Sequence, residues 1–422
     1  MKKINIHFLN KMLCFILLLY SFNVTIKSRF FWGNNSYFFL VVLAIVGLLF
    51  IGLYNSKNKF KKKQLFYFLI TCSIVFIELF RNYYFKESSE SKVFFFTAYL
   101  FLPFVLSINY DAVDDFFKVI KIFCIEHVIG TFFVQFFKNF YLSKIYPWLF
   151  SGKITVAYSN LQHGYNPGLT THYSTNGIYL SISVIYFFSN YLAYKNKRDF
   201  MWMCLSFIAL LLTGKRAHTL FVLISCVVLY LNRYKEKMSK KVVNLIVLGI
   251  SGIIGILILS MFVPQVMNVV ERFDSTAEKG ELLSGREPFY DLALKIWQEN
   301  KIFGKGWGAF SYYFQLKLYN DAFIYGYLDG HNVYLQLLCE CGIIGAFYLI
   351  CIAIKLFLSC SETLKKSENT NIQIFSYVFQ VFFLLYCFSG NPLYDIQCYT
   401  IYFFTLGITL GNSSSATIKV KE

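Results

Sequence analysis

Of the 422 residues, 57% are hydrophobic and 20% aromatic, while 15% are charged, against roughly 25% charge in ordinary soluble domains. That balance excludes a soluble globular protein and predicts an all-α integral membrane protein. A net charge of +17 does not point to nucleic acid, because the excess lies in short cation clusters rather than a basic stripe interleaved with stacking aromatics; topology and anionic lipid head groups account for it.

Apolar runs near the ~20 residues needed to span hydrocarbon recur at 8–26, 36–54, 64–85, 93–110, 115–137, 174–194, 199–213, 216–231, 242–263, 333–359, 372–390 and 394–411. They predict about twelve membrane helices. The chain starts Met1-Lys2-Lys3 and enters an apolar run with no small-residue cleavage site behind it, which reads as a first membrane helix rather than a removed signal. Runs 199–213 and 216–231 are short and separated only by Thr213-Gly214-Lys215-Arg216, so they form either a tight hairpin or one kinked element.

Orientation follows from the cations, since short loops rich in Lys and Arg stay cytoplasmic. The clusters Lys57 to Lys63, Lys195 to Arg198 and Arg233 to Lys241 all follow even-numbered spans. Both termini are therefore expected inside, in a multi-pass protein of the cytoplasmic membrane. The whole of 1–422 reads as one polytopic domain, with outer connections at 138–173 and 264–332 and a polar cytoplasmic tail at 412–422. Eleven cysteines lie within or beside the apolar runs, none between Pro264 and Asn332, which argues against a disulfide framework and a Cys-based zinc site. No fixed-period repeat and no matching pair of Gly/Pro-broken helices is visible, which counts against an inverted-repeat carrier.

The 264–332 connection has internal order. Ser284-Gly285-Arg286-Glu287 is a capping-box pattern, and behind it Phe289, Leu292, Ala293 and Ile296 make an apolar stripe on a helix running to about Asn300, set on the membrane or against the bundle. Gly304-Lys305-Gly306-Trp307-Gly308 is too glycine-rich for a helix interior and reads as a turn.

Several polar residues bear on chemistry, each with a plainer alternative. Arg216, at the outer start of its span, is by itself an interfacial snorkelling anchor. Arg286, where a helix N-terminus favours anions, suits a phosphate through its forked donors, or equally a salt bridge to Glu278 or Glu281. His7 is cytoplasmic by topology, His127 beside Glu126 reads as a hydrogen-bonded structural pair, and His163 and His172 share the first outer connection without a third ligand at zinc-like spacing. His331 can take a proton near neutral pH. Asn332 either holds a sugar hydroxyl or caps the next helix. Glu340 is an intramembrane carboxylate in need of a partner, either His331 or an arginine. Asp114-Asp115 lies on the inner side and no outward Asp-x-Asp is present, which disfavours a metal-dependent nucleotide-sugar transferase.

Taken together, Thr213-Gly214-Lys215-Arg216-Ala217, Ser284-Gly285-Arg286 with Trp297, Gly304-x-Gly306-x-Gly308, and His331-Asn332 followed by Glu340 and Gly342-Ile343-Ile344-Gly345 resemble the O-antigen ligase and polysaccharide polymerase superfamily over about 160–350. The first turn departs from the Ser-Arg-Gly-like sequence of many members, which bears on Arg216. The resemblance implies a GT-C-like, metal-independent glycosyltransferase without cofactor, taking an undecaprenyl-pyrophosphate-linked oligosaccharide on the outer membrane face. It implies His331, Arg286 and Arg216 as the catalytic set, with His331 as base, and substrate contacts from Asn332, Lys215, Glu340 and His172. A polymerase of surface polysaccharide is the first expectation; a ligase to another acceptor, or a flippase for lipid-linked sugars, are the others. Membrane lipids, a flippase and a chain-length regulator are the expected partners.

Overall fold

A computed structural model describes residues 5–23, 33–55, 61–85, 96–150, 154–233, 238–262, 267, 286–319, 329–366 and 370–412, and among these all regular structure is helical. The apolar runs become α1 (Ile6–Phe22), α2 (Gly33–Asn55), α3 (Lys62–Phe85), α4 (Leu102–Ile108) and α5 (Asp111–Phe136). A short α6 (Ile154–Gln162) precedes α7 (Tyr173–Tyr194), α8 (Lys197–Leu212), α9 (Arg216–Arg233) and α10 (Met238–Phe262). The remainder comprises α11 (Glu287–Glu299), α12 (Ala309–Tyr319), α13 (Val333–Lys366), α14 (Asn371–Tyr386) and α15 (Ile396–Asn412). By length and hydropathy, four stretches are sufficient to cross a membrane: Tyr37–Asn55, Lys62–Arg81, Asp111–Phe136 and Val333–Lys365. The chain is a helical membrane protein.

The short runs on either side of Thr213 are two helices, not one kinked element. Gly214 takes a left-handed φ of 67°, and α8 and α9 both pack on α7. A side chain at Gly214 would sit 2.6 Å from the Tyr165 ring, so the turn and the end of the 138–173 connection are tightly apposed. The same connection is fixed by Asn166, whose backbone N–H donates to Leu212 O (3.1 Å) and whose amide donates to Thr131 O (3.0 Å). In lipid, helices associate through close packing and interhelical hydrogen bonds rather than hydrophobic transfer. Here the packing is aromatic, with Phe383 on Tyr402 at 3.8 Å and Phe116 on Phe404 at 4.3 Å. Polar knots join it, such as the Asn109 amide donating to Asn10 Oδ1 (3.1 Å) and Leu48 O (3.0 Å).

The apolar run 333–359 is a broken helix. Gly342, with φ 67° and ψ −176°, interrupts α13, a backbone region open in practice to glycine alone. The segment after α11 seals the break in the manner of a strand: Lys305 N and Gly306 N donate to Cys339 O (3.1 Å) and Glu340 O (2.8 Å), while Ile343 N and Ile344 N donate to Lys301 O (2.9 Å) and Ile302 O (3.3 Å). Those are the backbone groups that an interrupted helix leaves without partners and that lipid cannot satisfy. From α3, Arg81 donates to Glu340 O (3.4 Å) and to Phe303 O, and Glu78 accepts from Trp307 N (2.9 Å) while pairing with Arg81 at 3.2 Å. The expected glycine turn is present, with positive φ at Gly304, Gly306 and Gly308.

Candidate functional site

The starts of α7, α9, α11 and α13 and the loop between α14 and α15 meet at one end of the bundle. The opposite ends of α7, α9 and α13 carry the cation clusters, tied there by contacts such as Asn371 to Asn190 (2.8 Å) and Asn232 to Ser361 (2.9 Å). The helix ends thus separate the cation-rich end from the end described next.

His331 is half-buried, with φ 53°. A left-handed non-glycine residue costs energy, and such conformations gather at functional sites. Its ring meets Phe289 edge-on at 5.3 Å. Burial, then the charges of Arg286 and Lys215, push its pKa down to about 4, with Asp329 opposing. The imidazole of the free protein is therefore neutral near pH 7, under the charge of two cations.

Arg286 immediately precedes α11, which starts at Glu287 with Pro288 in its first turn. Ser284, Glu278 and Glu281 lie outside the described residues, so the capping box and the alternative salt bridges do too. The stripe on α11 packs as expected: Ala293 and Ile296 are buried with Phe310 and Cys339, and Phe289 and Leu292 lie against them. One Arg286 N–H donates to Ser389 O at 2.7 Å, which leaves most of the five guanidinium donors for another acceptor.

From the α8–α9 turn, Lys215 acts on His331. Lys215 stands over the Tyr173 ring at 5.3 Å and also acts on His172 and His218. His218 is fully buried against Tyr386 (4.6 Å between ring centres). Arg216 is the first residue of α9 and is half-buried.

His172 serves as a helix cap, its Nδ1 accepting from Ser174 N at 3.1 Å. Burial and Lys215 push its pKa down to about 4. Asn332 also caps, Oδ1 accepting from Leu335 N at 3.2 Å. Glu340 reaches neither His331 nor an arginine side chain. It is fully buried, and its carboxylate accepts from Tyr394 Oη (2.7 Å), Gln336 Nε2 (3.1 Å) and Phe310 N (3.2 Å). Its place is in the scaffold beneath the site. His127 bonds to Phe22 O at 3.1 Å rather than to Glu126.

The α14–α15 loop was not singled out in the sequence. Besides holding Arg286, it accepts from the first amide of α13 (Val333 N to Cys387 O, 2.9 Å) and supplies Tyr394, stacked on Trp307 at 4.7 Å. Polar letters in Ser389-Gly390-Asn391-Pro392 between two apolar runs were the only available signal. Next to the site, α3, α13, α14 and α15 enclose a mostly apolar cavity of about 970 Å³, whose lining includes Val333, Tyr334, Cys387 and Phe388. Among the described residues no three His, Cys, Asp or Glu side chains converge as metal ligands do.

No curated protein matches the chain. The family model described as O-antigen ligase (Wzy_C) matches residues 200–350, a stretch that holds Lys215, Arg286, His331 and the broken helix. Over these residues the chain is similar to the O-antigen ligase and Wzy-like superfamily.

Proposed function

We propose that the protein is a polymerase that joins lipid-pyrophosphate-linked oligosaccharide units into a surface polysaccharide, on the outer face of the cytoplasmic membrane. The observation that carries this reading is the His331 imidazole under the charges of Arg286 and Lys215, two residues before Val333, which lines an apolar cavity. A lipid pyrophosphate has an anionic head and an apolar tail, and the two surfaces match those parts. Each charged hydrogen bond from Arg286 to a phosphate oxygen contributes about 1.5–3 kcal/mol.

The reaction balances without a metal or a general acid. His331 takes the proton of an acceptor sugar hydroxyl, whose oxygen forms a bond to the anomeric carbon of the donor glycan. The bond from that carbon to the pyrophosphate oxygen breaks, and its electron pair leaves with the lipid pyrophosphate, an anion stabilised by Arg286 and Lys215. The proton on His331 then returns to solvent. The undecaprenyl carrier, the twelve spans and cytoplasmic termini belong to this reading, as do a flippase delivering donor and a regulator of chain length.

The family description itself favours a second reading, a ligase that hands finished glycan to a different acceptor. A carrier is less suited, because the break in α13 is sealed by backbone hydrogen bonds rather than opened to coordinate cargo. Purified protein incubated with lipid-pyrophosphate-linked repeat units separates these. A ladder of products is expected; single transfer to a foreign acceptor would establish the ligase. His331→Asn tests the base, because asparagine tolerates the left-handed backbone better than alanine. Turnover should fall to background with protein level unchanged, and near-normal extension would remove His331 from the mechanism.

A further inference from the structure

The α14–α15 loop lies beyond the matched residues 200–350 yet adjoins Arg286, His331's helix and His218. Within it and beside it are buried polar atoms without a hydrogen-bond partner: the Ser389 hydroxyl, Asn391 Oδ1 and both ring nitrogens of His218. His218 is fully buried and Asn391 is 8% exposed. Buried polar groups are almost always satisfied, by protein or by what the protein binds. Ser389 O holds the Arg286 guanidinium at 2.7 Å, and Arg286 acts electrostatically on both His218 and Tyr386.

Their chemistry differs from that of the cations. A phosphate accepts hydrogen bonds only and calls for donors. Asn391 Oδ1 can only accept, while a serine hydroxyl and a neutral imidazole each donate and accept. That mixture matches groups that also do both, and sugar hydroxyls are such groups. Tyr386, at the end of α14, adds an aromatic face next to His218.

We propose that Ser389, Asn391 and His218 form a subsite for the hydroxyls of a glycan, set against the phosphate-binding cations. The subsite reads the sugar nearest the pyrophosphate, and so deepens the function proposed above and rests on it. Ser389 and Asn391 act by direct contact through their side chains; the backbone carbonyl of Ser389 keeps Arg286 in place whatever its side chain is.

The test measures binding by the full-length protein in nanodiscs of three probes: undecaprenyl pyrophosphate alone, the same carrier bearing one hexose, and a soluble hexose trisaccharide. The wild type should bind the hexose-bearing carrier about tenfold more tightly than the bare one. Ser389→Ala with Asn391→Leu should bring that ratio close to one and abolish trisaccharide binding, with affinity for the bare carrier unchanged. Ser389→Thr, which keeps a hydroxyl, should retain the preference, and melting temperatures establish that each variant is folded. A wild type without preference, a double variant that keeps it, or equal loss of the bare carrier would overturn the subsite. Failure of the polymerase reading looks different: sugar-dependent binding that the variants abolish, with no polymer formed by the wild type. If neither carrier binds, trisaccharide binding lost in the double variant upholds the subsite, and trisaccharide binding unaffected overturns it.

Discussion

Two arginines adjoin α13, and their partners differ. Arg81 is paired inside the protein, with Glu78 at 3.2 Å and with backbone carbonyls at the Gly342 break. Arg286 is held by one neutral carbonyl and stands with Lys215 beside a neutral imidazole. A buried ion pair that is already neutralised holds structure. A cation held, among the described residues, by a backbone dipole is positioned to receive an anion from outside.

The largest effect belongs to the structural region. Gly342→Ala places a Cβ against Ile302 O and Phe303 N in a backbone region closed to alanine, and should cost about 3 kcal/mol or more, read as loss of folded protein on size exclusion. Arg81→Met strands Glu78 and should cost about 3–5 kcal/mol; a normal melting temperature with lost turnover would erase the contrast between the two arginines. For Arg286→Lys the reverse is expected, a fall in kcat/KM of roughly 100-fold with thermal stability near wild type.

The pH profile sharpens the same contrast. A lowered imidazole pKa means that protonation, and loss of the base, occurs only as pH falls through about 4 in the free protein. Bound pyrophosphate offsets the two cations, so the value rises in the complex. The acid limb of kcat should therefore lie at higher pH than that of kcat/KM; coincident limbs would separate the cations from the base. The smallest effect is Asn332→Ala, about 1 kcal/mol for a lost helix cap. A turnover loss well beyond that would give Asn332 a substrate contact as well.

Much of the fold was legible because hydrocarbon imposes a length and the apolar runs have it: each run contains a helix, and the α11 stripe packs as its spacing required. The order of motifs gave His331, Arg286 and Arg216 as the expected catalytic set, with Lys215 as a substrate contact; in the structure the charges of Arg286 and Lys215 act on His331. The partners of Glu340 were not legible either. Its partners Tyr394 and Phe310 come from elements distant in sequence, and no local pattern indicates which buried donor will find a carboxylate. The break at Gly342 depends on pairing with 301–306, a contact across about 40 residues that periodicity within α13 cannot express.

That pairing also supplies a clock for the segment between α11 and α13. The amide hydrogens of Gly306, Ile343 and Ile344 are held by bonds between the loop and α13 rather than within either one. Their exchange with solvent deuterium therefore reports undocking of the loop, while neighbouring amides bonded within α13 report only the helix. If donor binding locks Arg286 in place, slower exchange at those three positions should record it before any sugar is transferred.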